Sequence, residues 1–384
     1  MENKLAKAGS PFSEGLEDVV AAESSICLID GKNSKLAYRG YDIHDLAGRS
    51  NYEETSYLLL FGKMPNAAEL SDFRKKLAAE REVPQGLLEL FRSFPLKAHP
   101  MAVLRSAVSL LSFFDAEAED KSAESNVRKA IRLIAKTPTL IATFERMRRG
   151  QARVAPNLSA EVSLAANFLT MMKGAAPSVV EAAMLDKYLI LLAEHDLNAS
   201  TFAARTTAST MSDIYSAASA AVGTLKGDLH GSANSRAMES ILAIGDVGRV
   251  AAYVEDALAN KKKLMGFGHR VYKGPDPRAA DLRVMAKTLA DNNPEQAKWY
   301  AISEKLEQAV WEKKKLYCNV DFYSASVLYT LGIPVDLFTT IFAVSRMSGW
   351  TAHVLEQYSH NRLMRPVSLY TGSLNQTYVP IQNR

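Results

Sequence analysis

Cysteine is almost missing from this chain of 384 residues: Cys27 and Cys318 are the only two, too few and too far apart to found a disulfide framework. No uncharged apolar run reaches membrane-spanning length, so no membrane partner is expected. The N-terminal stretch carries Glu2, Glu14, Glu17 and Asp18 where a signal peptide would need an apolar core. A reducing, cytoplasmic setting is the expectation. No histidine pair stands at His-x-x-x-His spacing and no cysteine pair lies near, which sets a metal site aside. Strands do not alternate with helices, which argues against a dinucleotide-binding domain, and no internal repeat is found. Charge of one sign is not in excess either. The balance of +4 and pI near 8.8 suits an enzyme of acidic metabolites but would suit many other proteins.

What is present is an ordinary globular mix, 47% hydrophobic and 23% charged, in a chain long enough for two domains and a large core. Met1 to about Ser13 is polar and expected to be loose. Ser25 to Asp30 and Leu36 to Tyr41, separated by Gly31-Lys32-Asn33-Ser34, predict a small hairpin. Helical spacing then takes over. Asp42 to Phe61 reads as helix up to Gly62, which stops it as a C-cap would. Glu69 to Arg81 and Ala102 to Phe114 follow, then an acidic, exposed link from Asp115 to Ser125. Pro138 should break or kink the helix that starts at Val127. Glu161 to Lys173 and Val179 to Ala193 are amphipathic. Ala199 to Val222, built almost wholly of Ala, Ser and Thr, predicts a helix packed closely against others or at a subunit contact. Further helices are expected at Ser235 to Ala243, Val247 to Asn260, Ala279 to Asp291, Ile302 to Lys315, Phe322 to Leu331 and Leu337 to Tyr358.

Leu264 to Arg278 is the exception. Three glycines and two prolines forbid a regular element, yet the loop holds His269, Arg270, Lys273, Asp276 and Arg278. One histidine among several cations suits gripping an anion beside a group that moves a proton. A surface turn with solvated charges is the plainer alternative. Gly266-Phe267-Gly268-His269 followed by Asp276-Pro277-Arg278 resembles the signature of the citrate synthase family. Leu229-His230-Gly231 with Ala233-Asn234 resembles that family's first catalytic histidine segment, and Asn319-Val320-Asp321-Phe322-Tyr323 its catalytic aspartate segment. The resemblance runs from about Gly15 almost to the C-terminus.

Each candidate also has a structural reading. His195, in Glu194-His195-Asp196-Leu197-Asn198, reads as a helix C-cap with Asp196 or Asn198 capping the next helix, whereas the resemblance implies a substrate-binding histidine. His230 precedes a predicted helix, whose N-terminus would keep its imidazole neutral and able to donate to an enolate. Asp321, among apolar neighbours, should have a raised pKa, or else simply cap the helix from Phe322. Cys318 stands where many members of the family carry proline. Arg346 lies in a mostly apolar helix, so its charge needs a partner. The clusters Arg146 to Arg149, Lys261 to Lys263 and Lys313 to Lys315 fall at helix ends, and no nucleic-acid motif accompanies them. A helical scaffold or nucleic-acid binder stays as the reading from another class.

The resemblance implies an all-α, two-domain fold: 1–226 and 333–384 as a large helical domain, with 227–332 as a small inserted domain carrying the signature loop. It implies condensation of acetyl-CoA with oxaloacetate and hydrolysis to citrate and CoA, with propionyl-CoA and 2-methylcitrate as the alternative. His230, His269 and Asp321 would be catalytic, and His195, Arg278, Arg346 and Arg365 would hold the dicarboxylate. Leu229, Gly266, Gly268, Lys273 and Asn319 would meet CoA. No cofactor or metal is implied. A homodimer is, with Arg365 reaching the partner's site.

Overall fold

In a computed structural model, residues 12–384 are described. The looseness expected of Met1 to Ser13 therefore lies almost wholly outside them. Ser24–Arg362 forms one compact unit. Residues 12–23 with Leu363–Arg384 form a second, whose only regular pieces are single 3-10 turns at Glu14–Leu16 and Ile381–Asn383.

The larger unit opens with the hairpin that the sequence predicts. β1 (Cys27–Asp30) pairs antiparallel with β2 (Lys35–Tyr38), and β2 with the short β3 (Tyr41–Asp42). Asp30 closes the turn, its Oδ1 accepting the N–H groups of Lys32 and Asn33 at 3.1 Å each.

Everything else regular is helical. α1 (Ile43–Arg49) and α2 (Tyr52–Phe61) divide the single helix expected from Asp42 to Phe61. Asn51 makes the division by capping α2 with a bond from Glu54 N–H, while Gly62 ends it at φ 76° as predicted. α3 (Ala67–Ala79), α4 (Gln85–Phe91) and α5 (Pro100–Leu110) follow. The acidic link is exposed from Glu119 to Glu124, as its composition suggested, while its first residue is half-buried. Asp115 is held by Arg132 at 3.0 Å and by the Tyr215 hydroxyl.

α6 (Ala123–Arg148) runs through Pro138 unbroken. The expected break fails because residues Thr137 to Thr143 are all buried, and packing on both sides outweighs the roughly 3 kcal/mol that an interior proline costs. α7 (Leu164–Lys173) and α8 (Val179–Leu192) are as predicted. The Ala/Ser/Thr stretch is two helices, α9 (Ala199–Ser209) and α10 (Ile214–Leu225), and not one from Ala199 to Val222. Met211 at φ 64° turns the chain and Asp213 caps α10 by accepting Ser216 N–H. The small residues let these two helices pack on each other.

Then come α11 (Ala233–Ile244), α12 (Val250–Ala259), α13 (Pro277–Asn292), α14 (Ala297–Lys314), α15 (Val320–Thr330) and α16 (Phe338–Ser359). α16 is buried on every side from Phe338 to Val354 and touches α2, α6, α8, α9 and α10. A helix buried all round is the centre of a bundle, and this one carries Arg346, Trp350 and His353 into the interior. No helix among the described residues is long and apolar enough to cross a membrane.

Candidate active site

The glycine-rich loop is held from two sides. On one side it is laced to the segment before α15: Gly268 N–H donates to Tyr317 O at 2.9 Å, and Asn319 N–H to Gly266 O at 2.9 Å. Phe267 bridges Cys318. Asn319 does two further jobs. Its Nδ2 donates to Gly268 O at 2.8 Å, and its Oδ1 caps α15 by accepting Asp321 N–H at 3.0 Å. On the other side Lys273 N–H donates to Gly31 O at 3.0 Å, in the hairpin turn. A Cβ at Gly31 would lie 2.5 Å from Val271 O, so the turn approaches this closely only as glycine.

α13 starts where the loop ends. Its cap, Asp276, accepts Arg278 N–H at 3.1 Å, Arg278 Nε at 2.9 Å and Nη2 at 2.8 Å, and also Val320 N–H at 3.1 Å. One buried carboxylate thus ties the first turn of α13 to the first turn of α15. Burial pushes the Asp276 carboxyl up, but the charge and hydrogen bonds of Arg278 outweigh it and hold the group below its usual range.

Two histidines have their tautomers set by backbone donors. Nδ1 of His269 accepts the N–H groups of Val271 at 3.0 Å and Tyr272 at 3.1 Å, so in the neutral ring the proton sits on Nε2. Nε2 of His230 accepts Ser200 N–H at 3.3 Å and lies 2.8 Å from Ser200 Oγ, which leaves the proton on Nδ1. Both imidazoles are pushed down to about 4, by burial first and then by the charge of Arg278 for His269 and of Arg346 for His230. The helix N-terminus that the sequence suggested as the cause for His230 is not the main one. His195 lies between α8 and α9, buried. Its ring is 5.5 Å from that of His269, with Nε2 3.3 Å from the Tyr272 hydroxyl. Burial, then Arg278 and Arg346, push it well below the ordinary histidine range. It is not a helix cap; Asn198 caps α9.

Asp321 is the second residue of α15 and not its cap, which is Asn319. Its Oδ1 is buried without a hydrogen-bond partner among the described residues. Burial raises the carboxyl to about 7; Arg278 and Arg346 pull it down while Asp276 pushes it up. Arg346, 1% exposed, donates from Nε to Leu192 O at 2.8 Å and lies 4.8 Å over the Phe342 ring. Nη1 and Nη2 make no hydrogen bond among the described residues. Burial lowers its pKa and Glu194 opposes that. The expected charge partner is therefore a carbonyl, a ring and a neighbouring carboxylate, with most of the guanidinium fork left over for an anion.

Arg278 and Arg346 both act on His195 and on Asp321, so two cations, three imidazoles and one high-pKa carboxyl converge. Leu229, beside His230, is 96% exposed, and Lys273 is exposed too. Gly266 and Gly268 take φ of 84° and 77°. Arg365 is exposed in the second unit. Sequence reasoning assigned no role to Asp276, Tyr272, Ser200 or Trp350. The first two lie inside the loop it singled out, and Ser200 follows the His195 segment. Trp350, which donates from Nε1 to Ser200 Oγ at 3.1 Å, had no local signal. Among the described residues no group of three or more His, Cys, Asp or Glu is placed to hold a metal ion.

The family model described as "Citrate synthase, C-terminal domain" matches residues 15–367. Citrate synthase 2 of Bacillus subtilis is 50% identical over 97% of this chain and 99% of its own length. A 2-methylcitrate synthase of Shewanella oneidensis is 40% identical over 96% and 97%. Among solved structures, citrate synthase from Pyrobaculum aerophilum superposes with a TM-score of 0.90 at 40% identity, covering 99% of this chain and 97% of that one. The citrate synthase from Thermoplasma acidophilum, solved as a ternary complex with carboxymethyl coenzyme A and oxaloacetate, gives a TM-score of 0.90 at 33% identity, covering 97% of this chain and 100% of that one. With a matching family model over most of its length and a half-identical relative aligned almost end to end, the chain belongs to the citrate synthase family.

Proposed function

We propose that the protein condenses acetyl-CoA with oxaloacetate and hydrolyses the resulting thioester, giving citrate and free CoA. The observation that carries this reading is Asp321: a carboxylate oxygen unpaired among the described residues, raised to about 7 by burial and acted on by the buried Arg278 and Arg346 guanidinium groups. Asp321 takes a proton from the acetyl methyl. His230 donates from Nδ1–H to the enolate oxygen, which needs a neutral ring. The enolate carbon attacks the oxaloacetate carbonyl, and His269 gives its Nε2 proton to the oxygen that becomes the hydroxyl. Water then cleaves the thioester and CoA leaves. His195, Arg278, Arg346 and Arg365 hold the dicarboxylate, with Arg365 supplied by the partner of a homodimer. Lys273 meets a CoA phosphate, and Leu229, Gly266, Gly268 and Asn319 line the CoA channel. The steps call on no metal or redox group.

The division into 1–226 with 333–384 and an inserted 227–332 belongs to the same proposal, as does a cytoplasmic setting. Closure of the small domain on the large one would exclude water from the enolate. The His44–Asp281 pair at 2.6 Å and the Lys273–Gly31 bond join residues on the two sides of that proposed division.

A 2-methylcitrate synthase is the second reading, favoured by the Shewanella relative. One methylene in a pocket is worth only about 1–3 kcal/mol, or roughly 10- to 200-fold. The deciding measurement is kcat/KM with acetyl-CoA and propionyl-CoA, followed by CoA release. Acetyl-CoA should be preferred. A preference for propionyl-CoA moves the protein to the second reading, and no CoA release from either thioester overturns both.

A further inference from the structure

Arg346, Trp350 and His353 stand four and three residues apart on α16, so they share one buried face. Each meets the site by a different route. Arg346 is in it. Trp350 reaches His230 through Ser200. His353 reaches His195 through Glu194. That last route involves groups no step of the reaction uses, and all of them are buried.

Glu194 and His353 are fully buried. Glu194 Oε1 accepts the backbone N–H of His195 at 2.7 Å and lies 3.2 Å from His353 Nε2, a close polar contact that makes no hydrogen bond among the described residues. Arg205 Nη1 donates to His353 Nδ1 at 3.0 Å, and a guanidinium only donates, so a neutral His353 carries its proton on Nε2, the nitrogen facing Glu194. Arg205 is anchored by Glu356 at 2.6 Å and by Gln357 at 3.1 Å. Glu194 Oε2 has no hydrogen-bond partner among the described residues and is pressed on α16 at Gly349, where a Cβ would come within 2.2 Å of it. A buried carboxylate with an orphan oxygen is costly and asks for a reason. The linker it holds is under strain, for Asp196 takes φ 53°.

We propose that Glu194 and His353 are positioning residues for the dicarboxylate site: they hold the His195 backbone in place and set a counter-charge behind Arg346. The inference rests on the proposed function. It predicts a loss confined to one substrate. In His353→Leu and Glu194→Ala, KM for oxaloacetate should rise about 10- to 100-fold, with kcat within about threefold and the acyl-CoA KM unchanged at saturating oxaloacetate. His353→Gln keeps a polar side chain beside Glu194 and opposite Arg205 and should regain most of the loss. Because the two residues act in one chain of contacts, the double variant should be little worse than the worse single one. If His353→Leu does not fold, Glu194→Gln decides: it keeps the acceptor for His195 N–H, loses the charge, and should raise the oxaloacetate KM about five- to tenfold. Wild-type turnover in the same assay separates the two levels. No CoA release from wild type sinks the functional reading. Active wild type with an oxaloacetate KM within twofold of normal in the folded variants, or with His353→Gln no better than His353→Leu, overturns the positioning role alone.

Discussion

A carboxyl that titrates near 7 is half ionised at neutrality and accepts a proton more readily than an ordinary aspartate, while imidazoles near 4 stay neutral donors. Log kcat/KM for the acyl-CoA should therefore rise with unit slope up to about pH 7 and level off above it, with no second limb from a histidine between roughly pH 5 and 9. The same group bears on stability. Its folded pKa lies above the usual 3.8, so between about pH 4 and 7 the folded state binds more protons than the unfolded chain and stability falls as pH rises. Asp321→Asn removes that penalty. The variant should match wild type near pH 4 and be ~1–3 kcal/mol more stable at pH 8, while kcat drops about 100- to 10,000-fold because an amide cannot accept the proton. Thermal melts at both pH values with initial rates test this; a stability gap that does not widen with pH, or near wild-type kcat, would count against the base.

Two glycines in one loop separate strain from collision. Both need φ that other residues adopt only at a cost, but Gly268 faces open space while a Cβ at Gly266 would sit 2.9 Å from Phe322 Cβ and 3.0 Å from its Cα. Phe322 follows Asp321, and helix backbone does not yield as a flexible side-chain tip does. Gly268→Ala should cost ~1 kcal/mol and leave kcat within a few-fold. Gly266→Ala should cost ~3 kcal/mol and lower kcat about 100-fold, since shifting the start of α15 would misplace Asp321, the proposed base. Denaturant melts and kcat on the pair check it: equal effects at the two positions would mean that contact with α15 is not what the loop depends on. The helices themselves were largely legible from spacing and caps. Pro138 and the break at Met211 were not, because the first is rescued by burial and the second lies in a stretch of residues that are uniformly small.

At the scale of the whole molecule, the proposal that a partner's Arg365 completes each site would make activity a property of the assembly. Asp321→Ala and Arg365→Ala are each expected to be inactive alone. In a mixed dimer one site carries both defects and the other has an intact Asp321 with an intact Arg365. Random assortment makes half the dimers mixed, each with one live site, so co-expression should restore about a quarter of wild-type activity. Two folded, mixing and still inactive variants would mean that Arg365 does not act across an interface.

The local chemistry was in the sequence: the glycines that bend the loop at 266 and 268, the histidines, the aspartate after Asn319, and the turn and cap residues at Gly31 and Gly62 each declare themselves within a few positions. Only the tertiary structure decided what those groups have become. Backbone N–H groups chose the His269 and His230 tautomers, burial with two distant guanidinium groups set the titration of Asp321, and Asp276 joined the starts of α13 and α15. The reason is range. A turn or a cap is decided by neighbours along the chain, whereas desolvation and charge at Asp321 are summed over groups such as Arg278 and Arg346, which only the folded packing brings within reach.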